Sequence, residues 1–147
     1  MTDANWPPRW LTPVPDDAIA NGEGEQVIQF ADLFGIITKD SVAGRTGSKM
    51  VLREWQKELI RHVFAHNDDH WLRHKVALLG LPRKNGKSAL GSLFGLYHLF
   101  MGADGGEVYS VAAEKQQASI VFKDAKKMIE ANPELLDMVK LYRDAIE

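Results

Sequence analysis

The chain has 147 residues, of which 45% are hydrophobic and 26% are charged, and these proportions argue for one modest globular domain with a core rather than a disordered or collagen-like chain. Eighteen lysines and arginines against twenty acidic residues give a net charge of −2, so any contact with a polyanion has to be local. The absence of cysteine excludes disulfides and thiol catalysis, and the absence of an apolar run of roughly 20 residues predicts a soluble protein without a membrane span.

An extended arm is predicted for residues 1–24. They hold four of the six prolines and the turn-forming run Asn21-Gly22-Glu23-Gly24. Proline at this density prevents regular backbone hydrogen bonding. Trp6 and Trp10 could pin such an arm to the rest of the molecule.

Two helices are predicted after the arm. From Glu25 the apolar residues recur at spacings of one, three and four, which is typical of a helix with a broad buried face, and Gly35 ends it. A loop over residues 38–50 follows. Leu52–Phe64 is predicted as the second helix, because its apolar residues lie on one side and its charged residues on the other.

Strands and helices alternate in the remainder of the chain. Both predicted strands are apolar runs without alternation, which is typical of strands buried on both faces of a parallel sheet. The predicted bounds are 75–81 and 107–112 for the strands, 82–86 for a turn, 102–106 for a helix break, 87–101, 114–131 and 134–139 for the helices, and 141–142 for the start of a further element. This order predicts an α/β fold with helices flanking a parallel sheet.

The turn after the first predicted strand has the composition of a phosphate-binding loop. It reads Arg83-Lys84-Asn85-Gly86-Lys87-Ser88, and a strand, a glycine-containing turn and a helix are the elements that cradle nucleotide phosphates. Gly86 would let the backbone approach a triphosphate without a clashing Cβ. Lys87 would reach the β and γ phosphates, and Ser88 would place its hydroxyl on Mg²⁺.

This loop departs from the consensus G-x-x-x-x-G-K-[ST]. The consensus has glycine at position 81, where this chain has Leu81. Arg83 and Lys84 add two cations, so the turn carries a charge of +3 with Lys87. Arg83 could touch the γ phosphate and stabilise the charge of transfer. The alternative interpretation is a basic surface turn capped by Ser88.

Three blocks of sequence carry a family resemblance. They are Leu52-Arg53-Glu54-Trp55-Gln56, then Leu81-Pro82-Arg83-Lys84-Asn85-Gly86-Lys87-Ser88, then Val108-Tyr109-Ser110-Val111-Ala112-Ala113 leading to Gln116-Gln117-Ala118. From about Gly44 to Phe122 the chain resembles the amino-terminal part of the large terminase subunit of tailed double-stranded DNA bacteriophages, which packages viral DNA. The resemblance implies a P-loop NTPase sheet of the additional-strand type, with residues 25–147 as the first part of the ATPase domain.

The resemblance also implies roles for the residues of the loop. Lys87 and Ser88 are the phosphate and Mg²⁺ residues of a packaging ATPase, and Arg83 is the additional arginine of the family's deviant loop. Lys87 and Arg83 are the implied catalytic residues. The implied ATP contacts in the loop are Arg83, Lys84, Asn85, Gly86, Lys87 and Ser88.

Gln56 falls on a glutamine that resembles the adenine-sensing glutamine of related helicases. A carboxamide offers a donor and an acceptor at the spacing of adenine N6 and N7, which is the physical reason for that role. The alternative is an exposed helix residue. Trp55 is expected in the core rather than stacked on a base.

The block after Val111 resembles the motif by which translocases couple the sheet edge to the next helix. Lys115, Gln116 and Gln117 lie near the start of that helix, where backbone N–H groups could hold a DNA phosphate. Glu114 takes a position often filled by Thr or Ser. A capping or solvated role is the alternative for this group.

The acidic residues that hydrolysis requires are not found after the loop. Hydrolysis needs a strand that ends in an acidic residue for Mg²⁺, and no four-residue apolar run followed by Asp-Glu occurs there. The clustered carboxylates of a nuclease domain are also missing. The chain is therefore expected to be the opening part of a longer protein and inactive alone. Val76–Leu81, Leu90–Phe100 and Val108–Val111 are then expected to expose apolar surface.

The resemblance implies the nucleotide-binding part of a viral DNA-packaging motor in the cytoplasm of the bacterial host. The cofactors implied are ATP and Mg²⁺. The partners implied are double-stranded DNA, the small terminase subunit and the portal, with a homo-oligomeric ring in the complete motor. The alternative is another P-loop module, helicase-like or regulatory, that binds ATP without packaging DNA.

Four histidines, His62, His66, His70 and His74, are spaced four apart and would line one face if the second helix continued. That spacing can bind zinc. Because Asn67-Asp68-Asp69 interrupts the helix, a solvated face is expected instead of a metal site.

Overall fold

The computed structural model describes residues 11–41 and 43–147. Within these ranges the helices are α1 (Asp16–Ala20), α2 (Gly24–Phe34), α3 (Glu54–Val63), α4 (Lys87–Met101), α5 (Lys115–Glu130) and α6 (Pro133–Asp137). The chain divides into two compact units. The first contains the described residues up to Asp32 and residues 51–80, and the second contains residues 33–50 and 81–147. No helix among the described residues combines the length and the apolar character needed to cross a bilayer.

The first helix among the described residues lies in the proline-rich segment and was not predicted. The prediction of an extended arm is wrong for Asp16–Ala20, which form α1. Pro15 is the N-cap, where the missing N–H of proline costs nothing, and Asp16 and Asp17 in the first turn complement the positive end of the helix dipole. Residues 1–10, with Trp6 and Trp10, lie outside the described residues.

Residues of α2, of α3 and of the segment after α3 form the core of the first unit. Val27, Ile60 and Phe64 are fully buried. The two helices approach closely at Gly24, where a Cβ would lie 2.7 Å from the Cα atom of Arg61. Arg61 Nε also donates to Glu25 Oε1 at 2.6 Å. The two predicted helices of this region are thus confirmed within two residues of their bounds.

The second unit is built on α4 and α5. Leu93 and Leu96 of α4 and Met128 and Ile129 of α5 are fully buried. Ser92, which is 0% exposed, joins the two helices: its Oγ lies 2.9 Å from the carbonyl oxygen of Ser88 one turn earlier and 2.9 Å from that of Val121 in α5. α4 has the predicted bounds, and α5 and α6 lie within the predicted ranges except that α6 begins one residue earlier.

The loop after α2 contacts α5 in the second unit, where Lys127 Nζ lies 3.4 Å from Thr38 O. Its arms meet where Ile37 N–H donates to Ser48 O at 2.9 Å. Asp40 holds the loop tip, because its Oδ1 accepts from both the backbone N–H and the hydroxyl of Thr46. These two hydrogen bonds, the backbone one first, lower the pKa of the Asp40 carboxyl below its ordinary value.

The two predicted strands do not form a sheet in the described part of the chain. Residues 75–81 and 107–112 are extended, and the bridges between described residues join single pairs such as Ile36 with Lys49. The prediction that these segments are buried fails here, since Leu78 is 99% exposed and Val111 is 86% exposed. The physical reason is that a strand needs a neighbour for its backbone hydrogen bonds, and neither segment has one.

The expectation of uncovered apolar surface is confirmed for both extended segments but not for most of α4. Val76 and Val108 are exposed together with Leu78 and Val111. Leu90, Leu93 and Leu96 of α4 are buried. The apolar residues Leu90, Leu93 and Leu96 are therefore already covered within the second unit.

Self-association of the purified chain is expected to depend on the extended segments, since contiguous exposed apolar residues and unpaired strand edges promote association. Leu78→Ser with Val111→Ser should shift the chain toward the 16.5 kDa monomer without lowering its melting temperature, because neither side chain contributes to a core. Sedimentation velocity measures the shift. Met138→Ser, at an apolar position that is 69% exposed and lies outside both segments, should leave association unchanged. If Met138→Ser reduced association as much as the double substitution does, this prediction would be wrong.

Candidate phosphate-binding site

The loop from Leu81 to Gly86 turns the chain from an extended segment into α4. Gly86 is the N-cap of α4 and has φ 76° and ψ 14°, the left-handed conformation that favours glycine. Lys84 also has a positive φ, 68°, which is a strained conformation for a residue with a side chain. These two left-handed residues turn the backbone within the three residues before the helix.

The first turn of α4 offers free backbone donors. The first N–H groups of any helix lack an intrahelical acceptor, and no side chain caps this helix. Ser88 is the second residue of the helix and not its N-cap, so the alternative interpretation is wrong in making Ser88 the cap, although the turn is basic and lies at the surface. The Ser88 carbonyl accepts from Ser92 Oγ, and the Ser88 side chain is exposed at the surface.

Three cations surround these donors. Arg83, Lys84 and Lys87 are exposed, and none of them belongs to an ion pair between residues that the structure describes. α4 has no acidic residue in its first turn. Lys87 Nζ lies 3.5 Å from the carbonyl oxygen of Leu81, at the limit of a hydrogen bond, so the ammonium group folds back over the loop. This concentration of positive charge at the positive end of a helix suits a polyphosphate.

Leu81 and Asn85 show how the deviant loop is stabilised. Leu81 is not among the described residues with a positive φ, so this turn does not require the glycine of the consensus there. Asn85 is half-buried, and its Nδ2 donates to the carbonyl oxygen of Pro82 at 3.4 Å across the turn. The Asn85 side chain therefore braces the turn.

Gln56 lies in the first turn of α3, in the first unit. Its Oε1 accepts a hydrogen bond from the backbone N–H of Arg53 at 2.9 Å and so caps the helix. The side chain is half-buried rather than exposed. The carboxamide oxygen thus has a structural partner within its own helix. Trp55 is buried, as expected.

The residues predicted near the start of α5 are at the surface. Glu114 is the N-cap of α5, and its side chain makes no capping hydrogen bond. Lys115 Nζ lies 3.8 Å from Asp144 Oδ2, in a weak ion pair at the surface. Gln116 and Gln117 are exposed and border a groove that runs along α5.

The four evenly spaced histidines do not share a helix face, because α3 ends at Val63 and only His62 belongs to it. His62 Nδ1 contacts the carbonyl oxygen of Glu58 at 2.8 Å. His66 is buried, with Nε2 3.3 Å from Glu23 Oε1, and His70 adopts a positive φ of 63°. Among the described residues no three potential ligands gather as a metal site would require.

Ser92, the buried link between α4 and α5, was not predicted from the sequence. Its position four residues after Ser88 on an otherwise apolar helix face was the available signal, since a buried hydroxyl needs an acceptor. The basic groove along α5 was not predicted either, because it combines residues distant in sequence.

Comparisons with known proteins agree with one another. A family model described as terminase large subunit, ATPase domain, matches residues 54–147. The large terminase subunit of Enterobacteria phage HK97 is 33% identical over 120 residues, which cover 80% of this chain and 22% of the relative. The crystal structure of the HK97 large terminase matches with a TM-score of 0.61 and 29% identity, over 85% of this chain and 25% of that one. The chain thus spans about a quarter of the length of these relatives.

Proposed function

The chain belongs to the terminase large-subunit family through its ATPase domain, and we propose on this premise that its phosphate loop binds Mg-ATP for a DNA-packaging motor. The observation that carries the proposal is the uncapped start of α4, surrounded by three cations without acidic partners. A helix start of this kind is an anion site by its dipole and its free N–H groups.

Each loop residue has a role in this proposal. Lys87 binds the β and γ phosphates, and Arg83 stabilises the charge of the transferred phosphoryl group. Gly86 brings the backbone close to the phosphates, while Lys84 and Asn85 shape the turn. Ser88 is the proposed Mg²⁺ residue, because its hydroxyl is at the surface. The metal, when bound, would neutralise charge on the β and γ phosphates.

The partners of the motor are proposed from its family. The relatives are named large terminases of phage HK97. On that ground we expect double-stranded DNA as the translocated substrate, the small subunit and the portal as partners, and a homo-oligomeric ring in the bacterial cytoplasm. The comparisons do not favour the alternative of a helicase-like or regulatory P-loop module.

Phosphate release tests the enzymatic part of the proposal. The 147-residue chain should bind Mg-ATP but should not turn it over, because no apolar run ending in an acidic pair follows its loop. Fusion to the remainder of the HK97 large terminase should restore turnover that is lost again in Arg83→Ala. Lys87-dependent turnover by the 147-residue chain alone would contradict the proposal that the acidic residues must come from elsewhere.

A further inference from the structure

A groove of about 880 Å³ runs along the outer face of α5. All of its lining residues belong to the second unit. Lys123, Lys126 and Lys127 extend from α5, while Lys39 borders the groove from the loop after α2 and Arg143 from the turn near residue 142. We call this surface, defined by these five residues, the α5 groove.

The five cations of the α5 groove have no acidic partner. Ion pairs between described residues within 4.0 Å include Lys115 with Asp144 but none of the five. The charges are therefore available to an external anion. A free anion would otherwise have to displace a carboxylate before it could bind.

Two of the lysines are held in position by backbone carbonyl groups. Lys126 Nζ donates to Tyr142 O at 2.7 Å, and Lys127 Nζ donates to Thr38 O at 3.4 Å. Each contact uses one of three ammonium protons and leaves the charge uncompensated. Because these side chains are already ordered, an anion that binds them pays less of the usual cost of fixing a lysine.

The acidic residues of the α5 groove lie away from its centre or are already engaged. Glu114 and Glu130 stand at opposite ends of α5, and Asp144 pairs with Lys115. Asp124 is only 4% exposed and offsets part of the positive charge from beneath. The centre of the groove is therefore basic, although the whole chain carries a net charge of −2.

The composition of the groove favours a nucleic-acid backbone over a protein partner. Lysine is depleted in protein interfaces, which depend on tryptophan, tyrosine and arginine anchors. Here lysines predominate, and Gln116, Gln117 and Ser119 add uncharged donors of the kind that contact phosphate oxygens. Ser92 also joins α5 to the helix that follows the phosphate loop.

We propose that the α5 groove binds the phosphate backbone of double-stranded DNA without reading its sequence. The choice of DNA as the partner rests on the proposed packaging function. The contact itself requires no nucleotide, so its test is independent of ATP binding.

The test is the salt dependence of binding to a labelled duplex of random sequence, measured by fluorescence anisotropy without nucleotide. Each phosphate contact contributes about −0.9 to the slope of log K against log salt concentration. Lys39, Lys123 and Arg143, whose side chains make no hydrogen bond to another described residue, are replaced together by glutamine. The slope should become shallower by about 2 to 3 units, and affinity at low salt should fall at least ~10-fold.

The matched control replaces three exposed cations of the first unit, Arg53, Arg73 and Lys75, by glutamine and so changes the net charge equally. It should retain the slope of the parent chain, and both variants should keep its melting temperature. Equal losses in the two triple variants would overturn the proposal, as would a parent chain that does not bind the duplex. Tighter binding of polyglutamate than of DNA would overturn it in favour of an acidic protein partner.

Discussion

Lys87→Ala is expected to abolish measurable Mg-ATP binding. The ammonium group makes only a marginal contact with the Leu81 carbonyl, so its charge is free to bind phosphate. Removal of one member of a desolvated charge pair typically costs about 2 to 5 kcal/mol of binding free energy. The affinity for a fluorescent ATP analogue, measured by titration, should therefore fall at least ~30-fold.

Folding should be almost unaffected by Lys87→Ala, because an exposed side chain outside a core changes stability by about 0.5 kcal/mol or less. Lys140→Ala is the matched control, since it removes the same charge from another exposed position. It should bind the analogue like the parent. Retention of parental affinity in Lys87→Ala would show that the phosphate loop is not the nucleotide site.

Gln56→Ala is expected to reduce discrimination between ATP and GTP by roughly 1 to 3 kcal/mol, the value of a bidentate contact with a base. The structure adds a second effect. The substitution also removes the hydrogen bond to Arg53 N–H, so the free energy of unfolding should fall by roughly 1 kcal/mol. Competition titrations with the two nucleotides measure the first effect, and thermal melting measures the second.

Gln56→Glu separates base recognition from capping. Glutamate retains the acceptor for Arg53 N–H and loses the amide donor, so melting should match the parent while ATP preference is lost. If both substitutions keep the parental preference, Gln56 acts only as a cap. Because the cap occupies Oε1, a base that used this oxygen would have to displace the Arg53 N–H.

The helices were predictable because their signals are local. Gly86 and Gly102 flank α4, and its apolar residues repeat with helical spacing, so its bounds match the prediction. α1 was not predicted, because the prolines that precede it indicate an extended chain. Pro15 is nevertheless compatible with a helix start. The composition of the extended segments around Leu78 and Val111 could not show whether they are buried in a sheet. Strand pairing depends on a neighbour that local sequence does not specify.

The two candidate sites also differ in how far the sequence predicts them, and the reason is again whether the signal is local. The loop around Lys87 is contiguous, so residue type and order were sufficient to find it. Only the backbone conformation shows that Gly86 is the N-cap of α4, that the first N–H groups of the helix are free and that Lys84 is left-handed. The α5 groove brings Lys39 next to residues of α5 and to Arg143, and no periodicity in the sequence indicates that proximity.

Ser92 has one hydroxyl proton and two carbonyl acceptors, each 2.9 Å away. At any moment it donates to one of them, and rotation about a single C–O bond transfers the donation to the other. A small sliding of α5 along α4 therefore need not leave this buried hydroxyl without a partner. Gly91 contributes to the same tolerance, because even a Cβ at that position would make only ordinary contact with Val121, at 3.8 Å. The α4–α5 interface thus permits shear between the two helices at little cost in hydrogen bonding.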